Sequence, residues 1–324
     1  MKRLTLKTLV AAAALALAGP ALAQTKLKFA HVYETSEPYH TWALWAAEEI
    51  KKRTGGRYEM QVFPASQLGK ETDINQGLTL GTVDVIYTGQ AFAARTHPPL
   101  AIGGAPFMFR DLDHWKKYSQ SPLLGELMDG YFKKGNNKPL AVTYYGVRHT
   151  TANKPIMKPE DMVGMKLRVP DAPLYAAYPK VLGANATPIA FAEVYLALQN
   201  KTVDGQENPL PTIEAKKFYE VQSHINLTGH ITEMLLTIVG GPTWSKLSDA
   251  DKKAFEAVFK EAAAKCTDDI AAAEQRLASE LSSKYGKTVV RPDRAPFQAK
   301  FQAFHTGPDA TWDKATFDRL QAIK

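Results

Sequence analysis

Apolar and polar positions alternate between two periods along this chain. Lys26 to His31 alternates residue by residue and predicts a first strand. From Tyr39 to Arg53, Trp42, Trp45, Ala46, Glu49 and Ile50 fall at helical spacing, and Thr54-Gly55-Gly56 stops the run. Tyr58–Phe63 reads as a strand, Glu71–Leu80 as a helix ended by Gly81, and Val83–Tyr87 as a third strand. Leu100 to Arg110, rich in Gly, Pro and Phe, reads as a loop, and Lys138–Tyr145 as a strand. A second series follows. It has strands near Lys166–Val169 and Val203–Glu207, and helices at Leu174–Leu182 and Phe191–Gln199, with Pro179 set to shorten the first. Glu233–Gly240 is apolar enough for a buried strand. Strands alternating with helices predict an α/β protein.

The last third has another character. Ser248 to about Tyr285 is nearly free of Gly and Pro, and Ser248 with Asp251 three residues on has the spacing of a helix cap. One helix of that length spans about 55 Å, more than one domain, so it is expected to lie across two. With no linker visible between the two halves, strands rather than a tether should cross between them.

Residues 1–23 have the three parts of a secretory signal peptide. Lys2, Arg3 and Lys7 precede an apolar run from Leu9 to Ala18, and Ala21-Leu22-Ala23 predicts cleavage before Gln24. The run is too short for a membrane span. The formal charge of +7 for the whole chain drops to +4 without this segment, and no basic block points to nucleic acid or a membrane surface. The single cysteine, Cys266, can form no internal disulfide and is placed on the long helix.

No His-Glu-x-x-His, nucleophile elbow or paired-cysteine metal site occurs. Gly286-Lys287-Thr288 ends like a phosphate loop, but Leu281 stands where its first glycine belongs. A periplasmic hydrolase or lyase acting on a carboxylate therefore lacks its usual marks. Two polar hooks at strand ends stand out instead: Arg168 in Gly164-Met165-Lys166-Leu167-Arg168-Val169-Pro170, and Asn208 in Asp204-Gly205-Gln206-Glu207-Asn208-Pro209. A guanidinium grips a carboxylate through two parallel N–H bonds, and an amide can add a third. Taken alone, Arg168 could equally pair with Asp161 or Asp171, and Asn208 could be a turn residue.

These motifs, with Gln67-Leu68-Gly69, Glu71, Gly77, Gly81, Asp84, Pro106-Phe107, Gly146-Val147-Arg148-His149-Thr150-Thr151 and Ala190-Phe191-Ala192-Glu193-Val194-Tyr195, resemble a family across the whole mature chain. It is that of the periplasmic solute-binding subunits of tripartite ATP-independent periplasmic (TRAP) transporters, of DctP type. The middle of the chain is most similar to sialic-acid-binding members. The resemblance implies a two-lobed periplasmic binding fold, hinged, with a long C-terminal helix spanning both lobes. It places residues 24–145 with 234–273 in lobe I, and 146–233 with 274–324 in lobe II. It further implies a periplasmic monomer without cofactor or metal. Such a receptor hands a small carboxylate to the integral membrane subunits of its transporter.

By motif, the resemblance makes Arg168 the main carboxylate ligand, Arg148 a second cationic contact, Asn208 an amide cap and Phe191 a wall against the carbon skeleton. Asp171 stands where the sialic-acid binders carry asparagine, and Tyr87 to Phe92 lacks their charged contacts, which argues against sialic acid itself. The variable first-lobe side offers His31, Tyr33, Glu34, Glu71 and Gln90, and Asp171 is a further candidate contact: it, Glu34 or Glu71 could hold the ammonium of an amino-acid ligand. Arg168 and Arg148 side by side in an empty cleft are expected to repel until a carboxylate neutralises them and the lobes close. Polar first-lobe candidates point to a hydroxylated sugar acid, a uronate or aldonate. A C4-dicarboxylate or 2-keto acid is the alternative if Arg148 holds a second acid.

Overall fold

The computed structural model describes residues 24–324, so the expected signal peptide lies outside the described residues. The strands are β1 (Thr25–Ala30), β2 (Tyr58–Phe63), β3 (Val85–Gly89), β4 (Lys138–Ala152), β5 (Lys166–Val169), β6 (Asn185–Pro188), β7 (Gly205–Pro209), β8 (His224–Val239) and β9 (Thr288–Val290). They form one sheet in the order β2-β1-β3-β8-β4-β7-β5-β6, with β9 beside β8. The parallel triplets β2-β1-β3 and β7-β5-β6 lie at its two ends. Between them the antiparallel pair β4 and β8 runs through both halves.

β4 is almost twice as long as the pattern predicts, because Gly146 does not end it. The register slips at a bulge between Tyr144 and Gly146, where Gly146 takes φ +120°. That backbone conformation suits glycine alone. A Cβ there would lie 2.7 Å from both Glu274 Oε1 and the Pro209 Cβ. Glu274 spans the bulge, accepting from Val147 N at 2.5 Å and from the Tyr144 hydroxyl at 2.6 Å.

The long helix covers Asp249–Ser283, 35 residues, or about 52 Å. Ser248 caps it, its Oγ accepting from Asp251 N at 3.1 Å. Phe255, Val258, Phe259, Cys266 and Ile270 bury into the core of lobe I with β1, β3 and the end of β8. Leu277 and Leu281 bury in lobe II with Val194, Leu198, Ile213, Phe218 and Ile225. The helix thus changes lobes between 270 and 277. A further lobe II cluster joins Ile156, Met165, Leu167 and Tyr178 to Phe297 and Phe301.

The C-terminus departs from the expected partition. The resemblance places residues 274–324 in lobe II, but Trp312 and Leu320 bury in the lobe I core. The last helix, Lys314–Gln321, is tied to lobe I by Arg319 with Glu126 at 2.8 Å and by the Arg110 Nη1 donating to the Gln321 carbonyl at 3.1 Å. The amphipathic face of this helix needs an apolar partner, and lobe I supplies it. The Leu174–Leu182 helix is shorter than expected, reduced by Pro179 to a 3-10 turn at Pro173–Ala176 and a helix at Ala177–Val181. No helix of the described residues is long and apolar enough to cross a membrane.

Candidate functional site

A cavity opens between the lobes where β4, β5, β7 and β8 meet the start of the Glu71–Leu80 helix. It holds about 510 Å³ of atom-free space, part of it open to solvent. Arg168, Arg148, Asn208, Phe191, Glu71, Asp171 and Tyr33 all line it. Strand pairing accounts for the convergence. Arg168 on β5 sits opposite Gln206 of β7, and β7 sets Asn208 opposite His149 of β4, one residue past Arg148.

The two arginines are both buried and differ completely in their bonding. Arg148 is 2 % exposed and every one of its nitrogens is bonded. Nε donates to Glu207 Oε2, Nη2 to Glu207 Oε1 at 2.7 Å and to the Glu207 carbonyl at 2.7 Å, and Nη1 to Glu233 Oε2 at 2.5 Å. His230 Nε2 stands 3.1 Å from Glu207 Oε2, and the Tyr175 hydroxyl donates to Glu233 Oε1. Burial alone would raise the Glu207 carboxyl, yet the Arg148 guanidinium and His230 bring it below its ordinary range. For Glu233 burial wins over Arg148 and the carboxyl is raised.

Arg168 is 1 % exposed and meets no carboxylate. Its Nε and Nη2 donate to the Ile189 carbonyl at 3.0 and 2.8 Å. Nη1 is buried without a partner. Burial draws its pKa down to about 10, which still leaves a cation at neutral pH. The guanidinium stands 6.0 Å from the Phe191 ring centroid. A buried, charged donor without an acceptor costs more than a neutral one, and a carboxylate in the cavity would remove that cost.

Arg148 still helps to lower the Arg168 pKa, but the expected pair of bare, mutually repelling cations is not what the structure holds. Glu207 and Glu233 already meet the Arg148 charge, which leaves Arg168 as the lining arginine with an unpartnered N–H. Arg148 is marked as a contact by its motif, whereas neither of those two acids is. Glu207, beside Asn208 on a strand that buries every residue, and Glu233, a charge heading an apolar run, were the available signals.

Asn208 is also engaged, its Nδ2 donating to Gln206 Oε1 at 2.6 Å and its Oδ1 accepting from the Tyr145 hydroxyl at 3.2 Å. Tyr33 packs between Tyr39, Tyr145 and Phe191. On the first-lobe wall, Glu71 Oε1 accepts from Gly89 N at 2.7 Å and from Thr88 Oγ1 at 3.0 Å. Burial, with Glu233 adding to it, pushes its carboxyl up to about 7.

Asp171 stands at the rim, where Arg95 of lobe I donates to its backbone carbonyl at 2.5 Å. Glu34 does not line the cavity; it pairs with Lys216 at 2.7 Å.

His31 and Gln90 are not brought to the cavity. His31 is packed among Phe29, Tyr33 and Tyr87, with Nε2 3.2 Å from His40 Nδ1, and burial lowers its pKa to about 3. A neutral imidazole in an aromatic core is a structural group. Gln90 is fully buried and turned into lobe I; a Cβ on Gly103 would lie 2.5 Å from its Oε1.

The profile described as bacterial extracellular solute-binding protein, family 7 (DctP) matches residues 29–307. The sialic acid-binding periplasmic protein SiaP of Vibrio cholerae is 33 % identical over 98 % of this chain and 98 % of its own. A TRAP periplasmic solute-binding protein from Polaromonas sp. JS666, solved with D-erythronate, superposes with a TM-score of 0.88 at 33 % identity, covering 93 % of this chain and 99 % of that one. Another from Sulfurospirillum deleyianum, solved with succinate, gives 0.85 at 29 % identity over 92 % and 99 %. By sequence and by fold, this chain belongs to the DctP family of bacterial extracellular solute-binding proteins, the TRAP-type receptors that bind small carboxylates and deliver them to membrane subunits.

Proposed function

We propose that this protein is the receptor for a small hydroxylated monocarboxylate, a sugar acid of the aldonate or uronate kind, and acts without altering it. The observation that carries the reading is the buried Arg168 guanidinium with Nη1 unpartnered at the cavity wall. Around it, Phe191 and Tyr33 offer apolar faces to a carbon skeleton. Glu71 and Asn208 offer hydrogen-bonding groups to hydroxyls. The D-erythronate bound by the Polaromonas relative is a ligand of this class. The family and the predicted signal peptide at 1–23 support function in the periplasm.

Closure of the lobes follows from the same geometry. An acid held by Arg168 of lobe II and by lobe I groups such as Glu71 binds the closed form better, and so shifts the population toward it. Two bridges already link the lobes beside the cavity, Lys216 with Glu34 and Arg95 with Asp171. Both are partly exposed pairs, and such pairs contribute on the order of 1 kcal/mol or less. The buried Thr212–Glu37 hydrogen bond, at 2.7 Å, also joins the lobes, and the ligand adds to these links.

A C4-dicarboxylate is the second reading. Lys70 lines the mouth of the cavity and could face a second acid group, and the Sulfurospirillum relative was solved with succinate. A thermal-shift screen over aldonates, uronates, C4-dicarboxylates, 2-keto acids and amino acids separates the two. Ligand at 100 times its Kd adds about 2.7 kcal/mol of stability, and the sugar acids are expected to give the largest shifts. Recovery of the acid unchanged after prolonged incubation is the expected result for a receptor; a new product would point to an enzyme.

A further inference from the structure

On the first-lobe side of the cavity Glu71 faces the two arginines of the second lobe, with Glu233 between them. Glu71 and Glu233 both approach Gly89: a Cβ there would lie 3.4 Å from Glu233 Oε1 and 3.6 Å from Glu71 Oε1. Both bonds that the Glu71 carboxylate accepts fall on Oε1, which leaves Oε2 for a ligand. Glu233 is already committed to Arg148 and Tyr175. Arg148 spends its charge on Glu207 and Glu233, so Arg168 alone among the lining guanidinium groups keeps an unpartnered N–H. Lys70, the other cation of the lining, is exposed at the rim, where water and salt screen it.

Arg168 and Glu71 line the same cavity from the two lobes, so a ligand anchored by its carboxylate at Arg168 can meet Glu71 with its far end. A hydroxyl there donates to Glu71. A second carboxylate there meets a like charge in a partly desolvated space, and specificity often rests on such a repulsive element. We infer that Glu71 is a specificity-determining residue that admits acids with one carboxylate and turns away their matched two-carboxylate counterparts. This rests on the reading of Arg168 as the carboxylate anchor.

Protonation adds a readout that a merely structural role would not move. Glu71 faces Thr88 and Gly89 of β3, Glu233 of β8, Arg148 of β4, Arg168 of β5, Tyr175 of the 173–176 turn, Tyr33, and Lys70 before its own helix. Burial and Glu233 hold its carboxyl near 7, so it is neutral at pH 6 and charged at pH 8. Discrimination should grow as pH rises across that window.

D-Erythronate and meso-tartrate form a matched pair, differing only by CH2OH against a carboxylate; L-galactonate and galactarate form a longer one. Calorimetry on the full mature chain with both pairs, at pH 6 and pH 8, tests the inference. The wild type should prefer the monoacid of the better-bound pair by about tenfold or more at pH 8, and less at pH 6. Glu71→Gln should shrink the pH 8 preference at least about threefold and remove its pH dependence, whereas Glu71→Asp should keep both. Thermal unfolding of each variant checks that it is folded. An unchanged ratio in a folded Glu71→Gln, or equal wild-type affinity for both acids, overturns the inference and leaves the anchor intact. Failure of the wild type to bind any of the four acids overturns the anchor and the inference together.

Discussion

Arg148 and Arg168 are equally buried and stand in one cavity wall, yet they occupy opposite electrostatic situations. Around Arg148, at the junction of β4, β7 and β8, every nitrogen has a partner and two carboxylates answer one guanidinium. Around Arg168, at the end of β5, one carbonyl takes two of its nitrogens and the third has none. A saturated arginine holds the scaffold; an unsaturated one is kept for something that arrives later. Burial and residue type do not tell these roles apart, and the inventory of partners does.

The comparison yields predictions for each region. Arg168→Ala should cost the most in binding. Micromolar affinity is about −8 kcal/mol, and removing one partner of a buried ion pair costs about 3–5 kcal/mol, so the Kd should move to about millimolar or weaker by calorimetry. Stability without ligand should change less than in Arg148→Ala, since the Ile189 carbonyl but no carboxylate is left behind. Near-wild-type affinity in this variant would end the assignment. Arg148→Ala should do the reverse. It strands Glu207 and Glu233, and urea unfolding of the free protein should show a loss of about 3–5 kcal/mol. An Arg148→Ala protein of wild-type stability would erase the distinction between the two sites.

A smaller effect belongs to Glu37, a buried carboxyl that accepts from Thr212 Oγ1 at 2.7 Å and from Glu34 N at 2.9 Å. Burial lifts it from 4.5 to about 7. The folded chain therefore keeps a proton that the unfolded chain releases between these values. The stabilisation is present at low pH and is lost as pH rises through 7. Relative to Glu37→Gln, the wild type should lose up to about 3 kcal/mol between pH 5 and pH 8. A pH-independent gap between the two proteins would contradict the assigned shift. Ser248→Ala, which removes the cap of the long helix, should cost about 1 kcal/mol in thermal or urea unfolding, leaving ligand affinity unchanged.

Much of this was legible because it is local. The Tyr58–Phe63 strand and the Glu71–Leu80 helix fall where period and glycine stops put them, and Ser248 caps the helix its spacing announced. The failures share a non-local cause. Gly146 reads as the end of a strand, but Glu274, 128 positions away in the chain, bridges the bulge and lets the strand continue. The last helix docks on lobe I because Trp312 and Leu320 find a core there, a partner no window of sequence contains. His31 and Gln90 looked like pocket groups because they flank strands near the right end of the sheet. Their side chains point into lobe I instead. Arg148 was recognised by motif, but the two carboxylates that fix its role sit on strands 59 and 85 positions away.

The most direct test is a crystal structure of the complex with D-erythronate or whichever sugar acid gives the largest thermal shift. The ligand carboxylate should lie within hydrogen-bonding distance of Arg168 Nη1, with Arg148 still bound to Glu207 and Glu233. A carboxylate seated on Arg148 in place of either glutamate, or one remote from Arg168, would contradict the division of labour between the two arginines.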